Sequence, residues 1–253
     1  MRPIVIHIHL FKNAGTSVDD GLRDHFGDKW ESFDQADGGV LGEDQVRALL
    51  VARPHISALS SHQIRPPLHS GGGFEFIPIV FLRHPLDRIR SAFDFERRQG
   101  DATESSRAAS EHDFSGWLAH NEGRNSSQSR NFHVKSLSSL RDPNGRLIRS
   151  GLSDRDHFDS AKEFLASSGT FGLVERFEES WQRICDQIGE HFPTFTSGSA
   201  NRNSTPGRAV TLEDRLEAMR SELGTRTFRT LRENNELDIE LFRWASRRFE
   251  SNN

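Results

Sequence analysis

The chain has no tyrosine, a single cysteine and two methionines among its 253 residues. Without tyrosine, no phenol can act as acid, base or ring donor. Proton chemistry falls to His, Lys, Arg, Ser, Thr or carboxylates. One cysteine, Cys185, excludes a disulfide framework and a thiolate metal cluster. Long hydrophobic runs are missing too: the apolar start, Ile4 to Phe11, is too short to span a bilayer and no cleavage site follows it. The expectation is a cytoplasmic chain with no membrane anchor. Excess positive charge is also absent. A formal net charge of -4 and a pI near 6.3 argue against a nucleic-acid binder, so an anionic ligand would have to be held locally.

What is present is an alternation of strands and helices. Ile4 to Leu10 is a β-branched run that reads as a buried strand. It ends in Lys12-Asn13-Ala14-Gly15-Thr16-Ser17, after which Val18, Leu22, His25 and Phe26 recur at helical spacing. A helix is expected over Glu43 to Ala52, a strand over His55 to Ser60, and a third strand over Phe76 to Leu82, where Pro78 sits awkwardly for a central position. Arg83-His84-Pro85 closes that strand, and a helix follows over Leu86 to Arg98. Gln99 to Glu111 is polar and reads as an exposed loop. Trp117 and Leu118 mark a short helix, and the basic stretch Arg124 to Arg149 follows. Further helices are expected at Phe158 to Ala166 and Glu178 to Ile188, with a short strand at Thr170 to Val174 between them. Phe192 to Arg208 is loop-like, and the tail is helical with a stripe of Leu237, Leu241, Trp244, Ala245 and Phe249. The pattern implies an α/β fold with a central parallel sheet flanked by helices. No internal repeat or linker interrupts it, so residues 1–253 read as one domain, long enough to bury a substantial core.

Two strand-to-helix corners carry the chemistry. The N-terminus of a helix offers unpaired N–H groups and partial positive charge, which suits an anion. At the first corner Gly15 permits close approach, Thr16 and Ser17 add hydroxyls, and Lys12 adds a cation. The lysine precedes the glycine, unlike the nucleoside-triphosphatase loop, where it follows. At the second corner Arg83 ends the strand and Ser91 lies two helical turns on, a guanidinium and a hydroxyl able to clamp a second phosphate. Each corner alone is also what a tight turn or a solvated helix start would contain; the pair on consecutive units is the stronger signal.

These residues resemble the sulfotransferases that use 3′-phosphoadenosine 5′-phosphosulfate (PAPS), especially the carbohydrate, family 2-like branch. His9-Leu10-Phe11-Lys12-Asn13-Ala14-Gly15-Thr16-Ser17 is similar to that family's 5′-phosphosulfate loop, and the run Arg83 to Phe93 to its 3′-phosphate motif. Gly172 to Ser180 and Asn235 to Phe242 resemble later blocks, while the middle third is not covered. Phe11, Asn13, Ala14, His84, Phe93 and Phe242 depart from the usual residues, two of them phenylalanine in place of tyrosine. The resemblance implies a P-loop-like sulfotransferase fold and a PAPS donor held by Lys12, Asn13, Ala14, Gly15, Thr16, Ser17, Arg83 and Ser91. No metal is required, because a sulfuryl group carries less charge than a phosphoryl group. It further implies transfer to a hydroxyl, on a carbohydrate or another hydroxyl-bearing acceptor, with Lys12 stabilising the leaving oxygen.

The base would be His62. It follows the second strand and so belongs at the C-terminal edge of the sheet, and carbohydrate sulfotransferases carry a base histidine after the corresponding strand. The plainer reading is a histidine capping a turn. His7 and His9 share a strand face, but no third metal ligand is evident nearby, so a hydrogen-bonded core role is expected. Glu31, Asp94 and Glu96 are candidate secondary acids near the site, with an ordinary surface role the expectation for each. Late basic loops close over the cofactor in the family, and the resemblance offers Arg202 and Arg208 for that part, although their spacing does not align with it. Two rivals remain: a nucleotide-dependent kinase on a phosphate-loop fold, and a nucleotide-binding module without catalysis.

Overall fold

A computed structural model describes residues 1–124, 126–169, 171–195 and 211–251. In chain order the elements are β1 (Arg2–Ile8), α1 (Gly15–Phe26), β2 (Trp30–Ser32), α2 (Glu43–Ala52), β3 (Ala58–Ser61), β4 (Phe74–Ile79), β5 (Phe81–Leu82) and α3 (Pro85–Gln99). They continue with α4 (Glu104–Glu111), α5 (Phe114–Gly123), α6 (Phe132–Leu137), α7 (Asp154–Ser167), β6 (Gly172–Leu173), α8 (Phe177–Gly189), α9 (Leu212–Glu233) and α10 (Glu236–Ser251). The chain packs as two compact units, one of Met1–Leu82 with Lys135–Asn203, the other of Arg83–Val134 with Ser204–Asn253. Arg202 and Arg208 lie outside the described residues, as does Thr170.

The first unit is built on a parallel sheet in the order β2-β3-β1-β4, with β5 pairing separately with β6. β1 lies between β3 and β4, so both its edges are paired, and its residues Ile4 to Ile8 are all buried. Val5, Ile77 and Ile79 from the sheet pack with Val18, Leu22 and Phe26 of α1 and with Trp181, Ile184 and Ile188 of α8. Each of these buried side chains stabilises by about 1.5–3 kcal/mol relative to exposure. The third strand differs from expectation in two ways. It breaks at Val80 into β4 and β5, and β4 is an edge of the four-stranded sheet. Pro78 is tolerated for that reason: it pairs with Ile6 of β1, and β4 has no partner in that sheet on its other side.

In the second unit, Phe93 of α3 packs against Phe114 and Trp117 of α5, with ring centroids 5.1 and 5.6 Å apart. The stretch Gln99 to Glu111, expected as an exposed loop, contains α4. Its start is a capping box in which Thr103 Oγ1 accepts from Ser106 N at 3.0 Å and Ser106 Oγ accepts from Thr103 N at 2.7 Å. Ala108 and Ala109 are its buried face, too small to register as an apolar stripe. Glu96 is also not at the surface: it is 6 % exposed and accepts from Trp117 Nε1 at 3.0 Å and from the Ser105 hydroxyl. Asp94 pairs with Arg90, and Glu31 of the first unit with Arg53, as ordinary surface acids do.

The block Asn235 to Phe242 turns out to be an anchor. Fully buried Asn235 accepts from Asn131 N at 3.0 Å and donates to the Ser129 carbonyl at 2.8 Å. Asp238, also buried, accepts from the backbone N–H groups of His133 and Val134, both at 2.9 Å, at the first turn of α6. Burial alone would raise its pKa, but His133 and these amides outweigh it and hold the carboxyl below its ordinary value. Replacing Asp238 with alanine leaves two buried donors unpaired. It should cost about 3 kcal/mol in chemical denaturation, and a loss below a few tenths would show that Asp238 is not the anchor.

Candidate active site

The first unit's site lies at the C-terminal end of β1 and β3, where a parallel sheet opens toward ligands. After β1 the chain turns sharply: Lys12 and Ala14 both take left-handed backbone conformations, with φ of 64° and 61°. Such conformations cost on the order of 1 kcal/mol for residues with a Cβ. Ala14 then stands at the N-cap of α1 with no side-chain cap, and no acidic residue occupies the first turn. The helix start is left electrostatically open to an anion, with Thr16 exposed and Ser17 buried. Asn13, buried, ties the turn by donating from Nδ2 to the Phe11 carbonyl at 3.0 Å. Gly15 is required here because a Cβ would fall inside the His9 ring.

That ring belongs to a stack of three. His7 and His9 stack at 5.0 Å between centroids, and His9 and His62 at 3.9 Å. Asp19 of α1 meets His7 Nδ1 at 2.7 Å and His9 Nδ1 at 2.9 Å. Burial works against its charge, yet the two imidazoles hold its carboxyl well below the usual carboxylate range. His62 Nδ1 meets Asp34 Oδ2 at 3.1 Å, and the other oxygen of Asp34 accepts from the His62 backbone N–H at 2.9 Å and from the Ser61 hydroxyl at 2.6 Å. With ionised Asp34 on Nδ1, the proton sits there and Nε2 is the ring nitrogen able to accept another. Burial, reinforced by the charge on His9, lowers the His62 pKa despite the opposing pull of Asp34, so the ring is neutral near pH 7. Ser60 is buried and accepts from Trp30 Nε1 at 3.1 Å while touching His7 Nδ1 at 3.3 Å.

His7, His9 and Asp19 bring three metal-ligating atoms within 4.8 Å of one another. The third ligand that the sequence reading did not find is therefore Asp19. A divalent cation there would have to displace the protons that Asp19 accepts from both rings.

In the second unit, Arg83 is 5 % exposed and donates from Nε to Asp87 Oδ2 at 2.8 Å, four residues on in α3. Asp87 also accepts from Arg215 Nε at 2.9 Å, so one buried carboxylate orients two guanidinium groups. Ser91 is half-buried on the same helix. His84 sits edge-on to Phe242, with centroids 5.5 Å apart. Burial, aided by Arg243, His133 and Arg215 against the pull of Asp87, pushes its pKa down to about 4. A neutral imidazole thus occupies the motif position where relatives carry an acid.

The sulfotransferase family profile matches residues 59–245 of this chain, about three-quarters of its length. The chain belongs to the sulfotransferase family. An uncharacterized protein of Archaeoglobus fulgidus is similar to this sulfotransferase over 255 aligned residues, with 29% identity and 95% of each chain covered. The matched region takes in His62, Arg83, Ser91 and both later blocks, whereas the Lys12 loop precedes it.

Of the residues singled out in the sequence, the structure brings the Lys12 to Ser17 turn and His62 together through His9. Arg83 and Ser91 share α3 and its preceding corner in the second unit. Asp19, Asp34 and Asp87 escaped the sequence reading. Asp87 was in principle visible as the i+4 partner of Arg83, but nothing local marks Asp34, which meets His62 from 28 residues away.

Two outcomes follow for this sulfotransferase. Asp34→Asn removes the negative charge that favours protonated His62, so the His62 pKa should fall further and its neutral tautomers should mix; imidazole NMR titration reads both, and an unchanged titration would refute the pairing. For His84 the folded pKa lies below the ordinary 6.5, so the unfolded chain takes up the proton first. Stability should decline as pH drops from about 6.5 toward 4, and His84→Asn should flatten that part of the curve.

Proposed function

We propose that this sulfotransferase moves a sulfuryl group from PAPS to a hydroxyl of a carbohydrate, with His62 as base. The observation that carries the reading is the Asp34–His62 pair stacked on His9 beside the anion-ready start of α1. The residues fit such a donor. The turn at Gly15 has the backbone curl, the uncapped helix start and the lysine that a 5′-phosphosulfate needs. In the second unit, Arg83 is oriented by a carboxylate as a 3′-phosphate clamp would be, with Ser91 adding a hydroxyl. When bound, the donor supplies the sulfuryl group and the leaving phosphate.

The chain's own residues then have distinct tasks. Lys12, Asn13, Ala14, Gly15, Thr16 and Ser17 hold the 5′ end, and Lys12 balances charge that develops on the leaving oxygen. His62 Nε2 takes the acceptor proton, and Asp34 holds that ring in the required tautomer. In-line geometry comes from positioning, which can contribute about 7–11 kcal/mol to a barrier. The chemistry as proposed assigns no role to a metal.

The test compares donors and variants. PAPS should support transfer and ATP should not; the reverse would favour a kinase. The chain should bind 3′-phosphoadenosine 5′-phosphate more tightly than adenosine monophosphate, and Ser91→Ala should narrow the gap; equal affinities would refute the roles given to Arg83 and Ser91. His62→Ala should lower kcat by about 10²–10⁴-fold with nucleotide binding intact. Activity of the native enzyme should decline as pH falls through the lowered His62 pKa, below 6.5. Nucleotide binding with no transfer to any hydroxyl would instead indicate a binding module.

A further inference from the structure

The imidazole stack at the end of β1 has a carboxylate on each side. His7 and His9 alternate along the strand and so face the same way, and each turns Nδ1 to Asp19 of α1, at 2.7 and 2.9 Å. His62, stacked on His9, has Asp34 on its own Nδ1 at 3.1 Å. Burial opposes both acids' charges. Hydrogen bonds from His7 and His9 nevertheless hold Asp19 below the ordinary carboxylate value, and Ser61 and His62 do the same for Asp34. Two negative charges therefore flank the rings.

Two imidazole nitrogens and a carboxylate oxygen that converge on one point are the donor set of a divalent transition ion such as zinc. Magnesium and calcium prefer oxygen alone. Tetrahedral zinc holds its donors at about 2.0–2.2 Å, which places them about 3.3–3.5 Å from one another. The three donor atoms here already lie within 4.8 Å of one another, with nitrogen to oxygen distances of 2.7 and 2.9 Å. The carboxylate has only to draw back by about half an ångström to admit the ion. Entry is open from one side: the His9 and Asp19 side chains keep 12 % and 14 % of their surface, while His7 keeps 1 %. Three protein ligands leave the fourth position to water, the arrangement of an open zinc site.

We propose that His7, His9 and Asp19 form a site for a divalent transition ion, whose occupation restrains His62. On binding, each ring coordinates through Nδ1 and carries its proton on Nε2. The ion takes no part in the transfer. It acts through His9, which is wedged between Gly15 and His62, so drawing that ring toward the metal shifts the surface on which His62 stacks. Its positive charge also makes the neighbouring imidazole a poorer proton acceptor. The restraint rests on the reading of His62 as the base, whereas the site itself does not.

The test uses the full chain, stripped by a chelator and titrated with zinc. In imidazole nitrogen NMR, one equivalent should move the Nδ1 signals of His7 and His9 together. Those of His69 and His191, which also stand beside a glutamate, should stay in place. Magnesium should move none of them. By calorimetry, Asp19→Asn should weaken zinc binding by about tenfold or more. Asp19→Glu should recover part of the loss, and His62→Ala should leave the affinity unchanged. Zinc settling on His69 or His191, an unchanged affinity in Asp19→Asn, or an equal response to magnesium would each overturn the site. If the Asp19 variants fail to fold, the NMR of the native chain still decides the matter. With PAPS as donor, zinc should slow transfer by about tenfold or more, and the chelator should restore it. Zinc seated on His7 and His9 with transfer unchanged would overturn the restraint and leave the site standing. No transfer from PAPS before zinc is added would instead count against the donor reading, which the NMR result does not need.

Discussion

One carboxylate organises the histidine cluster at the C-terminal end of β1 in the first unit. Asp19 accepts from His7 and His9 at once, and its charge survives burial because both partners donate to it. Charge-assisted hydrogen bonds of this kind are worth about 1.5–3 kcal/mol each. They fix His9 against Gly15, so the ring cannot swing and the turn from Lys12 to Ala14 cannot relax. The exposed face of His9 then serves as the platform on which His62 stacks. The turn from Lys12 to Ser17 and the His62 ring are thus set by one network rather than by two independent loops.

The second unit repeats the device with other partners. Asp87 orients Arg83 and Arg215, and Asp238 holds the first turn of α6. In each case a buried acid is stable because guanidinium, imidazole or backbone donors surround it. Sulfuryl transfer leaves little covalent work for a protein, so an enzyme of this family gains most from groups held rigidly in place. Buried carboxylates do that holding here.

The absence of tyrosine acquires a physical reading in this setting. Phe93 is buried against Phe114 and Trp117, with the guanidinium carbons of Arg90 and Arg97 5.7 and 5.9 Å from its ring centre; the bare ring packs there without the hydrogen-bond partner a phenol would need. Phe242 presents its ring to a neutral His84. Both positions work as packing surfaces.

The alternation of buried strands with amphipathic helices was legible along the chain because those patterns are local: α2 runs over Glu43–Ala52 as its spacing implied, and α3 begins at Pro85. The two strand-to-helix corners were legible for the same reason, since a turn, its lysine and its helix start lie within a few residues. Three things were not. α4 was hidden because its buried face is two alanines and its cap uses serine in place of the usual acid. Pro78 acquired its edge position only when the strand order was formed. Asp34 reached His62 only through folding that joins distant segments. Sequence alone therefore determined which residue types stand at the corners, because backbone geometry and spacing are short-range. Tertiary structure decided which carboxylate orients which imidazole or guanidinium, because electrostatic partnership depends on distance in space.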